Sequence, residues 1–223
     1  MTDYLFRPVV ENWQVFAQGV VVTIEVSVAS LILSLLFGLV LAILRVVGWK
    51  PALAFSKAYV EIFRNIPPLL LLFYCYFAMP RVGIVLSAFT CGVLAMTVYH
   101  AGFMAEILRA GIESVGRHQV EAARALGLTY LQSMRHVILP QALATILPPL
   151  GNTSISLTKT TSLVAVISVP DVMFRAQLLE TSTFRTFEVF AAAGAVYLFL
   201  VLIIGQGTQL LERRITVYRG RPA

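Results

Sequence analysis

Residues 20–47 form an apolar run interrupted only by Glu25 and Arg45. A helix that crosses a bilayer needs about 20 such residues, so this run is long enough to span one. Composition carries the same constraint to the whole chain. Apolar residues make up 58% and charged residues 13%, and mean hydropathy is +0.83. Soluble domains carry about 25% charged residues, so this chain has too few to build a water-facing shell. The expected class is an all-α integral membrane protein. The start Met1-Thr2-Asp3-Tyr4 has no basic run leading into a short apolar stretch and no small-residue cleavage site. The first segment is therefore expected to stay as an anchor.

Five spans are predicted, over about 20–47, 54–79, 83–108, 146–169 and 187–211, within a single transmembrane domain covering 1–223. A turn at Gly48-Trp49-Lys50-Pro51 separates the first two. Lys57, Glu61 and Arg64 then fall on one helical face, so 52–65 reads as an amphipathic approach to the membrane. Pro67-Pro68 opens the apolar run that follows, and Pro80-Arg81 ends it. In the third span, Ala95, Ala101, Gly102 and Ala105 predict packing against other helices rather than lipid. Net charge is +6, and the basic residues collect on one side. Arg45, Lys50, Lys57, Arg64, Arg109, Arg117, Arg124, Arg135, Arg213, Arg214, Arg219 and Arg221 fall there, against Arg7, Arg81, Arg175 and Arg185. Loops rich in Lys and Arg stay in the cytoplasm, which puts the C-terminus inside and the N-terminus outside. The basic balance is thus a membrane signal, and no nucleic-acid partner is expected.

The polar segment 111–140 reads as two helices and a turn. Glu121-Ala122-Ala123-Arg124-Ala125-Leu126 runs into Gly127, suited to the left-handed position after a helix. Thr129 stands three residues before Gln132, a capping-box pattern that starts a second helix from Tyr130 to about Ile138. Pro140 is expected to mark its end, and Gly127 to let the two helices meet closely. Helices this short are marginal alone and need a packing surface, which Ala122, Ala123 and Leu126 offer.

Glu121-Ala122-Ala123, Gly127 and Val137-Ile138-Leu139-Pro140 resemble the EAA loop of permease subunits of bacterial ATP-binding-cassette importers. That pattern runs E-A-A, three residues, G, nine residues, I-x-L-P. The first Ile is replaced here by Val137. Residues 59–67, 105–112 and 161–164 look like the polar amino acid subfamily, whose members import histidine, glutamine, glutamate, arginine and opines. The resemblance implies five spans in the bacterial inner membrane, a second permease subunit, identical or homologous, and an extracytoplasmic binding protein that delivers an amino acid. It also implies cytoplasmic ATP-binding subunits, docked through Glu121, Ala122, Ala123, Gly127, Val137, Leu139 and Pro140. The chain itself offers no P-loop, because its lysines follow Trp49, Ser56 and Thr158 where that motif requires Gly. ATP hydrolysis is thus expected in a separate partner, with no catalytic residue and no cofactor here.

The fourth span is the least lipid-like. Pro149 and Gly151 predict a kinked or broken helix, the kind of site where transporters place binding groups. Asn152, Ser156 and Lys159 share a face there. A charge at that depth costs at least about 2.5–3.5 kcal/mol, so Lys159 needs a wet cavity, a substrate carboxylate or a partner such as Glu106 or Glu25. In the relatives an acid often follows this Lys; here it is Thr160. His100 and Glu106 complete the candidate path, and Asp171, Arg175, Glu180 and Arg185 are candidate contacts for the binding protein. An intramembrane protease is disfavoured, since Asp3 and Asp171 are the only aspartates and both fall outside the predicted spans. His100, His118 and His136, like Cys75 and Cys91, lack metal-ligand spacing. A stand-alone channel or secondary carrier would not need the 111–140 loop.

Overall fold

The computed structural model describes residues 6–46 and 49–216, of which the side chains of Val46, Arg117 and Thr216 are left undescribed. Expectations resting on Met1-Thr2-Asp3-Tyr4, Val47, Gly48, Arg219 and Arg221 lie outside these residues. Every regular element described is helical. A short α1 (Arg7–Glu11) leads into α2 (Trp13–Val46), which begins about two turns before the expected start at 20. Nothing between 13 and 20 breaks a helix, and Phe16 supplies an apolar anchor, buried against the ends of later helices.

The second predicted span is not one straight rod. α3 (Lys50–Asn65) and the segment 68–82, which starts as α4 (Pro68–Phe73), meet at 102°. Ile66 and Pro67 are extended at the corner, because a residue before proline is driven out of helical geometry. Pro80 does not stop the segment. It sits in the first turn of a short 3-10 piece, Met79–Val82, and left-handed Gly83 ends it.

α5 (Ala88–Glu113) starts five residues later than 83 and runs five past 108. The Ser87 hydroxyl accepts the Thr90 amide at 3.1 Å and sets its start. α5 is the central helix. Two-thirds (67%) of its apolar window is buried, against 17% for the last helix. Ala95, Ala101, Gly102 and Ala105 are all buried, as their small size predicted. A Cβ on Gly38 of α2 would stand 2.5 Å from Met104 Cβ, so these two helices touch through their backbones.

After α6 (Arg117–Ala125) and α7 (Tyr130–Ser133), the chain stays helical through a wide π turn, Met134–Ile138, into α8 (Leu139–Thr160). Pro140 therefore begins a helix instead of ending one. A first-turn proline loses no bond the helix needs, and the π turn carries Leu139 N–H back to the Met134 carbonyl. α8 also continues through Pro148 and Pro149. The break expected there lies one end later. The 3-10 piece Thr161–Ile167 ends at left-handed Ser168, and α9 (Val172–Thr183) leaves at 49°. Gly151 marks a close approach: a Cβ would lie 2.2 Å from Thr208 Cγ2 of α10 (Thr186–Thr216).

The corner at 168–172 is held by Asp171, fully buried. Its Oδ1 accepts Phe174 N–H at 2.8 Å and its Oδ2 accepts the Tyr197 hydroxyl at 2.9 Å. Thr23 of α2 takes the Val172 amide. Among the described residues three helices, α2, α5 and α10, are long and apolar enough to cross a membrane, and the count reaches five when each bent pair is one span.

Candidate functional site

The 111–140 loop is built by two caps. Past Ala125, Gly127 takes φ +80°. Gly127 N–H donates to the Arg124 carbonyl and Leu128 N–H to that of Ala123, the paired bonds of a Schellman ending. Thr129 and Gln132 then close a reciprocal capping box on α7. A Cβ on Gly127 would meet nothing within 4 Å. Its role is thus the backbone turn, and the expected close helix contact at this glycine is absent.

The loop's surface divides sharply. Ala123, Ser133 and Ile138 are buried, so Ala123 is internal rather than a docking face. Outside stand Glu121, with His118 Nδ1 at 3.6 Å, exposed Ala122 and Pro140, and Leu139. Val137 is half-buried. Leu126 is 82% exposed, Leu131 76% and Tyr130 57%. Three large apolar side chains left in water on one short loop mark a contact surface. Tyr130 and Leu131 were not singled out by sequence, where they looked like ordinary helix positions. Their exposure follows only from how α7 turns against α6.

Along α8 the hydroxyls turn inward on their own helix. Thr153, Ser154, Thr158 and Thr160 each donate to the carbonyl four residues back, and Thr161 and Ser162 to the one three back. This satisfies them without a ligand. Asn152, Ser156 and Lys159 are exposed on the shared face their spacing predicted. Among the described residues, no hydrogen bond or ion pair takes up the Lys159 ammonium. Asn152 also lines a cavity of about 250 Å³ with Gly151, Thr208 and Gln209.

His100 and Glu106 do not join that face. His100 is buried, with Nδ1 3.0 Å from the Met96 carbonyl. Glu106 bonds Arg45 at 2.7 Å and also Arg109, which in turn bonds Glu113. The pairing of Lys159 with Glu106 is therefore not formed, and Glu25 stands exposed on α2. Glu106 instead lines a cavity of about 470 Å³ with Arg45, Lys57, Glu61 and Arg64. The α3 charges thus do share a face, as predicted. Arg45 read in sequence as a mere interruption of an apolar run. Of the four candidate contacts between α8 and α10, Asp171 is wholly internal. Glu180 bonds Thr186, and Arg185 lies 3.6 Å from Glu188.

Residues 34–217 match the family described as "Binding-protein-dependent transport system inner membrane component". The chain is 40% identical over 205 residues to the probable glutamine ABC transporter permease protein GlnM of Bacillus subtilis (strain 168), covering 92% of this chain and 95% of that one. It is 35% identical to the arginine transport system permease protein ArtQ of the same organism, over 89% and 91% of the two chains. Among solved structures, an amino acid ABC transporter with histidines superposes with a TM-score of 0.88 at 34% identity, over 94% and 98%. The MetNI methionine ABC transporter in an inward-facing form superposes at 0.75 with 24% identity, over 92% and 98%, a likeness of fold alone.

Proposed function

Because the chain belongs to the family of binding-protein-dependent transport system inner membrane components, and is a permease subunit of an ATP-binding-cassette importer, we propose that it carries a polar amino acid across the bacterial inner membrane. The observation that carries the coupling part of this reading is the capped loop 117–138 with Leu126, Tyr130 and Leu131 exposed beside Glu121. A cytoplasmic ATP-binding subunit docks there, contacting Glu121, Ala122, Leu139 and Pro140, with Gly127 and Val137 shaping the turn. The paired caps make the loop rigid enough to transmit a push from that subunit to α5 and α8, the helices it joins.

The cargo follows the names of the relatives, which specify glutamine, arginine and amino acids. Asn152, Ser156, Thr160 and Lys159 are assigned to the path. Lys159 offers an ammonium to the substrate carboxylate, which accounts for a charge at this depth. Such a path needs a second permease subunit to enclose the exposed α8 face, and a binding protein outside to load it. The C-terminus is cytoplasmic and the N-terminus outside. The chain performs no bond chemistry of its own.

Uptake of radiolabelled glutamine and arginine into vesicles, with and without the ATPase subunit, tests the reading. Uptake is expected only with the ATPase and ATP inside. Uptake that persists without the ATPase would identify a channel or carrier instead. Glu121→Lys is expected to weaken ATPase association in a pull-down from detergent, and unchanged assembly would remove the docking assignment.

A further inference from the structure

Helix α8 has two opposite sides. Asn152, Ser156 and Lys159 mark the polar, exposed one. Ser154, Leu157 and Thr158 fall on the other, about half a turn away by helical spacing. Behind that second side lies a cavity of about 300 Å³, bounded by α2 and α10. It is separate from the cavity that Asn152 lines with Gln209. The two flank the contact that Thr208 makes with α8, and Thr208 lines both.

The lining is apolar in effect. Val28 and Leu31 of α2, Leu157 of α8, and Ile204 and Leu211 of α10 supply hydrocarbon. The hydroxyls that share the wall on α8 and α10 are turned to their own helices. Ser154 donates to the Leu150 carbonyl, Thr158 to that of Ser154 and Thr208 to that of Ile204. The Ser27 oxygen has no hydrogen-bond partner among the described residues, but it is buried and offers the cavity no polar surface.

The cavity opens between two apolar stripes. On α2, Ile24, Val28 and Ile32 recur every four residues and are 44%, 48% and 53% exposed. On α10, Ile203 and Leu211 are 52% and 54% exposed, and Gly207 stands midway between them. A Cβ on Gly207 would meet nothing within 4 Å. The glycine thus leaves a gap in a stripe that otherwise carries large side chains. Both stripes lie on helices long and apolar enough to cross a membrane. The polar side of α8, which at that depth belongs to water or protein, points the opposite way. The medium at the mouth of this cavity is therefore bilayer hydrocarbon.

We propose that an alkyl chain of a bilayer lipid enters beside Gly207 and fills this cavity, packing against the back of the helix that carries Lys159. An empty cavity would leave Leu31 and Leu157 without contacts on one side. Lipid tails are as apolar as leucine, so shape rather than transfer out of water selects the chain, and the headgroup plays no part. The proposal rests on the chain spanning a membrane and holds whatever the cargo.

The test uses the intact transporter with its ATPase, in nanodiscs of phosphatidylcholine that carries a diazirine midway along one acyl chain. After irradiation, mass spectrometry locates the adducts residue by residue. Adducts on Ser154, Leu157 and Thr158 are expected, although Leu157 and Thr158 are buried from lipid on the outer surface. Gly207→Leu fills the gap and is expected to abolish them, while adducts at exposed Leu36 and Phe199 persist. That substitution puts a good helix former into open space, so the variant folds. Absence of adducts on these three α8 residues in the parent chain overturns the proposal, and so do adducts that Gly207→Leu leaves unchanged. With Cys75 and Cys91 replaced by Ala, Leu31→Cys is expected to resist a charged, water-soluble thiol reagent. Modification there also overturns the proposal, by identifying a water-filled cavity.

Discussion

Gly127 and Glu106 show how single residues set this structure by opposite routes. Gly127 acts through its backbone alone. Its φ of +80° costs a side chain about 1–2 kcal/mol, and no neighbour stands where a Cβ would point. Gly127→Ala is therefore expected to lower loop stability by about that amount. Hydrogen exchange of the 117–133 amides should rise while the rest of the chain is unaffected. Glu106 acts through its partners. Arg45, almost fully buried, loses a charge-assisted bond in Glu106→Gln, worth about 1.5–3 kcal/mol. Melting of the purified chain in detergent micelles is expected to show the loss, and a smaller one for Glu113→Gln, whose side chain is mostly in water. The cap at Gly127 was legible because it depends on nearest neighbours in sequence. The pair between Arg45 and Glu106 was not, because those residues are 61 positions apart and meet only once α2 and α5 pack.

At the level of helices, α8 departs most from its sequence reading. Pro149 and Gly151 predict a kinked or broken helix; α8 is not broken there but stays helical to Thr160, and the chain leaves the helix at 161–171. Proline removes its own donor, but it breaks a helix only when the surroundings favour another path. Here α10 lies against α8 at Gly151, and the backbone stays helical through that region. Gly151→Ala places a Cβ 2.2 Å from Thr208 Cγ2, and such overpacking costs about 1–3 kcal/mol. The expected result is a lower melting temperature in micelles, with Thr208→Ala in the same chain recovering the larger part. A Gly151→Ala protein as stable as the parent, with or without Thr208→Ala, would mean that α8 and α10 do not touch there. α3 was read correctly as amphipathic, since a spacing of four and seven residues is a property of one helix. Its crosswise lie was not, because the angle at Pro67 is set by the walls of α2 and α5.

Across the whole molecule, exposed apolar side chains crowd α2 and α10, with Leu35, Leu36, Leu39 and Val40 on one and Leu198, Phe199, Leu202 and Ile203 on the other. These suit lipid. The exposed Asn152, Ser156 and Lys159 of α8 do not, and a polar face at that depth belongs to water or protein. In a background with Cys75 and Cys91 replaced by Ala, a cysteine at Ser156 is expected to react with a charged, water-soluble thiol reagent in the assembled importer. One at Leu36, facing lipid, should stay largely unreacted. Equal protection at both sites would remove α8 from the path. The membrane class and the capped, surface-exposed loop at 117–138 follow from composition, run length and local motif spacing. Those signals need no folded neighbour, since a bilayer selects apolar helices and a cap needs only the adjacent turn. Tertiary structure alone decided three things: that Asp171 is an internal pin, that Glu106 belongs to Arg45 and not to Lys159, and that Tyr130 and Leu131 face outward. Each depends on which distant helices lie side by side, and in a chain this uniformly apolar many pairings satisfy the local pattern equally well.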